Sequence, residues 1–265
     1  MVSMGTVWDR TTEVLRGRTG MLASLAALAI FLPSVLRDGV VAFSPTSTGL
    51  IGILGLVALL GAIWGQLALL AVSTDPRTTR EDASRQATAR LLPALGVVLL
   101  LGFAFVLVTL PMVIALIRAG VDFSTGTVDP STIPLGVGGF VSIYFLAVLI
   151  FAFFIGARLI LLNPVILNER RGLGSIARSF RLTRGLTWRI IGLMLLFLVL
   201  VVVTAGAAQA ITALLLRLVL GAEALPTITF VARIVGAVIT TAFTVVAAAF
   251  TAQLYVAARS GTAEG

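Results

Sequence analysis

The sequence predicts an all-α integral membrane protein, a bundle of about six transmembrane helices with basic interfacial segments on the cytoplasmic side. Three observations predict it. Of 265 residues, 59% are hydrophobic and 11% charged, whereas a soluble domain carries roughly 25% charged residues. Apolar runs recur from Gly20 to the end of the chain, and about 20 such residues in a helix cross a hydrocarbon core of about 30 Å. Finally, all 19 basic residues are arginine, and most sit in short stretches beside the apolar runs.

Residues 1–19 form an interfacial segment, with Arg10, Arg16 and Arg18 set against Val7, Trp8, Val14 and Leu15 as an apolar face. The first span covers residues 20–36. No small-residue cleavage pattern follows Leu36 and further spans come after it, so this start reads as an uncleaved anchor. The remaining spans fall at 49–73, 91–117, 135–157, 190–216 and 229–257, with a tail at 258–265. Connectors rich in Pro, Gly, Ser and Thr separate them at 37–48, 119–134 and 217–228.

Counting arginines sets the orientation. Three lie in the amino-terminal segment, four in the loop 74–90, six in the loop 168–189 and one in the tail, against only Arg37, Arg118 and Arg217 on the opposite side. The positive-inside rule then places both termini of this multi-pass protein in the cytoplasm. The same rule accounts for the formal charge of +8, so nucleic acid is not expected as a partner. A basic stretch enters a span three times, before Gly20, Leu91 and Ile190, a weak internal repeat of the kind transporter folds contain.

The chain has no cysteine, histidine or lysine. Disulfides, thiol nucleophiles, Cys/His metal sites, Ser-His triads, Schiff bases and P-loops are thereby excluded. No Asp or Glu lies centrally in a span to hold a coupling proton. No catalytic residue, metal or cofactor is expected, and the chain reads as non-enzymatic.

The most informative stretch begins at Arg158, which is expected at the cytoplasmic interface, with Pro164 kinking or ending the helix that follows. Residues 159–167 then lie shallow or extend the span at an angle. In the next loop Arg170, Arg171, Arg178, Arg181, Arg184 and Arg189 face only Glu169 in opposition, and Trp188 occupies a belt position. This loop either fixes topology alone or, with Arg158, contacts anionic lipid headgroups or a protein partner. Each basic contact near an anionic leaflet contributes about 1 kcal/mol.

Arg158, Pro164, Glu169, Ser179, Leu182, Thr183 and Trp188, running into an apolar helix, resemble the signature of the membrane domain fused to some bacterial glycerophosphoryl diester phosphodiesterases, which also occurs as a free-standing membrane protein. The resemblance implies a helical membrane domain in a setting of phospholipid or envelope homeostasis. It does not imply phosphodiesterase activity. The catalytic barrel of that family needs histidines and metal-binding carboxylates, and this chain has no histidine and no soluble segment long enough for the barrel.

Small residues form two stripes, Ala58, Gly61, Gly65 and Ala68 in the second span and Gly236, Thr240, Thr244, Ala248 and Ala252 in the sixth. Stripes of this kind let helices approach closely, within the bundle or through self-association. Gln66, Asn163, Gln209, Gln253 and the sixth-span threonines are polar residues at membrane depth, as is Arg233, which is expected to snorkel to the outer interface. They keep open an alternative function, a transporter or channel-like permease for an anionic or amphipathic solute.

Overall fold

The computed structural model describes residues 4–121, 133–169 and 174–261, and its described residues form helices joined by turns, without strands. In chain order these are α1 (Met4–Ala26), a π-helical turn (Ala27–Phe31), α2 (Leu32–Phe43), α3 (Thr48–Thr74), α4 (Arg80–Arg118), α5 (Leu135–Leu159), α6 (Leu162–Asn168), α7 (Gly174–Leu182), α8 (Thr187–Leu220), a short 3-10 turn and α9 (Leu225–Gly261). Among the described residues, six segments are long and apolar enough to cross a membrane: Met4–Phe43, Thr48–Thr74, Arg80–Arg118, Leu135–Asn168, Thr187–Leu220 and Leu225–Ser260. The chain is therefore a multi-pass helical membrane protein.

Several helices run past the expected ends of their spans. α1 bends at Arg18, whose backbone leaves the helical region (φ −135°, ψ 19°), and then enters the bundle. The helix does not stop near Leu36. It passes through the π turn into α2, continues through Arg37 and Asp38, and ends at Phe43. Pro33 sits in the first turn of α2, directly after the π turn. α4 likewise begins at Arg80 and not at Leu91. The Thr79 side chain caps it, accepting the N–H of Asp82 at 3.2 Å and donating to the Asp82 carboxylate at 2.7 Å. Hydropathy marks where hydrocarbon begins; a capped helix with charged first turns continues beyond it.

The break after α5 falls at Ile160 and Leu161, three residues before Pro164. Proline occupies the first turn of α6, where no intrahelical donor is needed, so the helix restarts ahead of it. α6 is not shallow. Leu162, Pro164, Val165, Ile166 and Leu167 are buried, and the helix packs against α3, α4, α7 and α9.

α9 is the hub of the bundle, packing on α1, α2, α3, α6 and α8. Two clusters of buried residues form the core at the arginine-rich end. The first joins Leu22 and Leu25 of α1, Leu67 through Val72 of α3, Ala83 and Ala87 of α4, Ile166 of α6, and Ala248 and Ala252 of α9. The second joins Val7, Leu161, Leu182, Ile190, Leu254 and Tyr255. Farther from that end, large apolar side chains face outward, among them Phe103, Leu107, Ile143, Ile150, Val199 and Val203. That pattern suits a bundle solvated by lipid.

The small-residue stripes pack within this chain. A Cβ at Gly61 would run into the backbone carbonyl oxygen of Ala29, and one at Gly65 would lie 2.8 Å from the Ala29 Cβ. Ala29 is four residues before Pro33, which has no N–H to offer its carbonyl. Gly236 of α9 is covered by the Gln209 amide of α8. Ala248 and Ala252 are buried against α3.

Candidate functional site

At the arginine-rich end, side chains from three helices lock α7 against the end of α5. The Arg158 carbonyl, left open where α5 stops, accepts the Ser179 hydroxyl at 2.7 Å and the Thr183 hydroxyl at 3.4 Å. In return Arg158 Nη1 donates to the Phe180 carbonyl at 3.2 Å. Its guanidinium lies 5.5 Å from the Phe154 ring centroid and 5.9 Å from that of Phe180, the geometry of cation–π contact. The Nε of Arg158 is buried without a protein partner.

A second link joins α7 to the end of α6. Arg178 Nε donates to both carboxylate oxygens of Glu169 at 3.2 Å, with the two side chains only 25% and 15% exposed. The hydroxyl of Tyr255, itself 1% exposed on α9, donates to Glu169 Oε1 at 3.4 Å. Ser175, Ser179 and Leu182 are the buried face of α7, spaced four and three residues apart as one side of a helix requires. Gly185, with φ of 85°, takes the left-handed conformation that turns the chain from α7 into α8.

The residues singled out from the sequence thus divide. Arg158, Glu169, Ser179, Leu182 and Thr183 converge on one clasp, with Arg178 as a member and Pro164 buried beneath it in α6. Arg158 is engaged by the Phe180 carbonyl and two aromatic rings, and Arg178 by the Glu169 carboxylate. Arg181, Arg184 and Arg189 are exposed, and Trp188 beside them is 79% exposed. Arg170 and Arg171 lie outside the described residues. Among the described residues of this loop, three arginines and one indole face outward as a cationic platform on α7, the turn after it and the first turn of α8.

The arginine-rich end also holds a joint that the sequence did not reveal. At the carboxyl end of α3, Arg18 Nη1 donates to the carbonyls of Val72 and Thr78 at 3.1 Å and of Asp75 at 3.4 Å. Gln253 Nε2, buried on α9, donates to the Ser73 carbonyl at 2.6 Å. Helix ends leave carbonyls unpaired, and one arginine and one glutamine satisfy them here. Either residue alone reads as topology or generic polarity; only the α3 terminus between them gives the pair a role.

At the opposite end Arg233 does not stand alone at the interface. Its Nη1 lies 3.6 Å from Asp38 of α2, which also approaches Arg37 at 3.9 Å, and Phe43 meets Phe230 edge to face nearby. An acidic residue assigned to a loop turned out to be helical and within reach of that arginine.

Between α5 and α8 on one side and α3 and α9 on the other lies a cavity of about 600 Å³. Phe153, Met194, Phe197, Leu198 and Val201 are among its walls. Its polar groups include Thr251 and the amide pair of Gln66 and Asn163, in which Asn163 Nδ2 donates to Gln66 Oε1 at 3.1 Å. Such a lining suits hydrocarbon far better than a small hydrated anion. Among the described residues no three His, Cys, Asp or Glu side chains gather as metal ligands would.

Comparison with known proteins returns one family. The model of a domain of unknown function (DUF7847) matches residues 12–259, which include the clasp, the platform and at least part of each membrane segment. No curated protein and no solved structure matches the chain.

Proposed function

The chain belongs to the family of that domain of unknown function (DUF7847), and from this premise we propose that it is a non-enzymatic protein of the bacterial inner membrane whose cationic platform holds anionic phospholipid. The observation that carries the reading is the exposure of Arg181, Arg184 and Arg189 together with a 79% exposed Trp188, beside a clasp that keeps other arginines inward. Exposed guanidiniums next to an indole suit phosphate groups at an anionic leaflet, each contributing about 1 kcal/mol. The excess of arginine at this end supports both termini facing the cytoplasm. Lack of histidine, cysteine and lysine supports a role without catalysis. The resemblance to the phosphodiesterase membrane domain adds a phospholipid setting, by analogy alone.

The test uses the full chain purified in mild detergent. Replacing Arg181, Arg184 and Arg189 together with glutamine should lower retained phosphatidylglycerol, measured by lipid mass spectrometry, while retained phosphatidylcholine stays level. Unchanged phosphatidylglycerol would remove the lipid reading and leave a protein partner for the platform. A second reading, passage of an amphipathic solute, is favoured by the apolar cavity with its Gln66 and Asn163 pair. Movement of labelled phosphatidylglycerol across proteoliposomes carrying the protein would put that reading first.

A further inference from the structure

A second apolar hollow lies on the other side of the hub, between α1 and α9, with a volume of about 480 Å³. Thr19, Ala23, Ala27 and Phe31 line it from the first membrane segment, and Val238 and Ala242 from α9. The first four are spaced by four residues each, so they form one helix face. Leu22 and Ala26, buried in the core, also line the hollow. Small side chains at Ala23, Ala27 and Ala242 hollow the contact, and all three are exposed.

One end of the groove carries a charge. Arg16 borders it one turn before Thr19. Its side chain is exposed and forms no ion pair among the described residues, even with Glu13 a turn earlier. Arg18, two positions on, is committed to the carbonyls at the end of α3 and does not compete for a ligand. From Thr19 to Phe31 a helix rises about 18 Å, and half of a ~30 Å hydrocarbon core is about 15 Å. The groove therefore has the depth of one leaflet, with its cation where the headgroups lie.

We infer that this groove holds one acyl chain of an anionic phospholipid from the arginine-side leaflet, with the lipid phosphate on Arg16. Charge complementarity and depth select this occupant. A zwitterionic lipid brings a phosphate whose charge its own ammonium group offsets, and a helix of a second copy would bring no phosphate at all. The site is separate from the platform on α7 and does not depend on it.

The experiment titrates the purified full chain with dioleoyl phosphatidylglycerol and, separately, dioleoyl phosphatidylcholine, counting bound lipids by native mass spectrometry. Three variants are compared with the parent: Arg16→Gln, Ala242→Phe, and the combined Arg181→Gln, Arg184→Gln, Arg189→Gln chain. Ala242→Phe places a ring in the groove from an exposed position and should remove one tightly bound phosphatidylglycerol. Arg16→Gln should weaken that same lipid about five-fold, the factor equivalent to about 1 kcal/mol for one arginine at an anionic leaflet. The platform variant should retain it, so failure of this site and failure of the platform are read separately. Parent-like binding in both Arg16→Gln and Ala242→Phe would overturn the inference. Equal binding of phosphatidylcholine would overturn the selection of an anionic lipid. A shift of the parent's mass from dimer to monomer on Ala242→Phe would assign the groove to a second copy.

Discussion

Replacing Gly61 with alanine should separate α3 from the π turn of the first membrane segment. The added Cβ meets the Ala29 carbonyl oxygen, with the Ala29 carbonyl carbon and Pro33 Cγ also within 3.5 Å. The oxygen is backbone, so no side-chain rotation relieves the contact, and the helices must part. Overpacking of this kind costs about 1–3 kcal/mol. Alanine also favours a helix over glycine by about 1 kcal/mol, which acts in the opposite direction. Gly52→Ala supplies the control, because Gly52 has nothing within 4 Å of a built Cβ and carries the propensity gain alone. The difference between the two variants then isolates the steric cost, expected at about 1–3 kcal/mol. Gly65→Ala should fall between them, since its Cβ meets the Ala29 Cβ at 2.8 Å and the movable Ile30 side chain at 3.0 Å. SDS-induced unfolding in mixed micelles, followed by circular dichroism, gives the three stabilities. Equal stability of Gly61→Ala and Gly52→Ala would refute the packing argument. A variant that dissociates a dimer while the monomer keeps its stability would show that the stripe serves self-association.

Two further outcomes follow from the clasp and the joint. Arg178→Ala should destabilise the protein by about 1.5–3 kcal/mol, the range for hydrogen bonds to charged groups, whereas the exposed Arg184→Ala should stay within about 0.5 kcal/mol. The same unfolding titration reads both, and equal effects would contradict the division of these arginines into inward and outward sets. Gln253→Leu should cost about 1–3 kcal/mol by leaving the Ser73 carbonyl without its buried donor; an unchanged midpoint would mean that the carbonyl has another partner.

The membrane spans were legible because a span needs only a long apolar run, and every such run became a helix. The helix ends were less so. Arg37, Asp38 and Arg80 through Arg90 read as loop by charge, yet a helix leaving the hydrocarbon meets water, where charged residues extend it at little cost. The Gly61 and Gly65 stripe announced a close contact but not its partner, which follows from Pro33 on a different helix. Arg158 shows the limit most directly. An arginine at the end of an apolar span reads as an interfacial side chain, and only the placement of α7 shows its carbonyl and guanidinium both taken by residues 21 to 22 positions later. Arg18 and Gln253 had no local signal at all, because the carbonyls that they satisfy belong to a helix distant in sequence from both.

That last separation bears on how the molecule is made. Ser73 and Gln253 are 180 residues apart. A ribosome adding about 5–20 residues per second delivers the glutamine roughly 10–35 seconds after the carbonyl it will satisfy. Through that interval the end of α3 lacks the partner that Gln253 will supply. Arrival of the final helix closes it, so the newborn chain reaches its mature stability in a late step, and a ribosome stalled before Gln253 would leave an intermediate for membrane quality control to recognise.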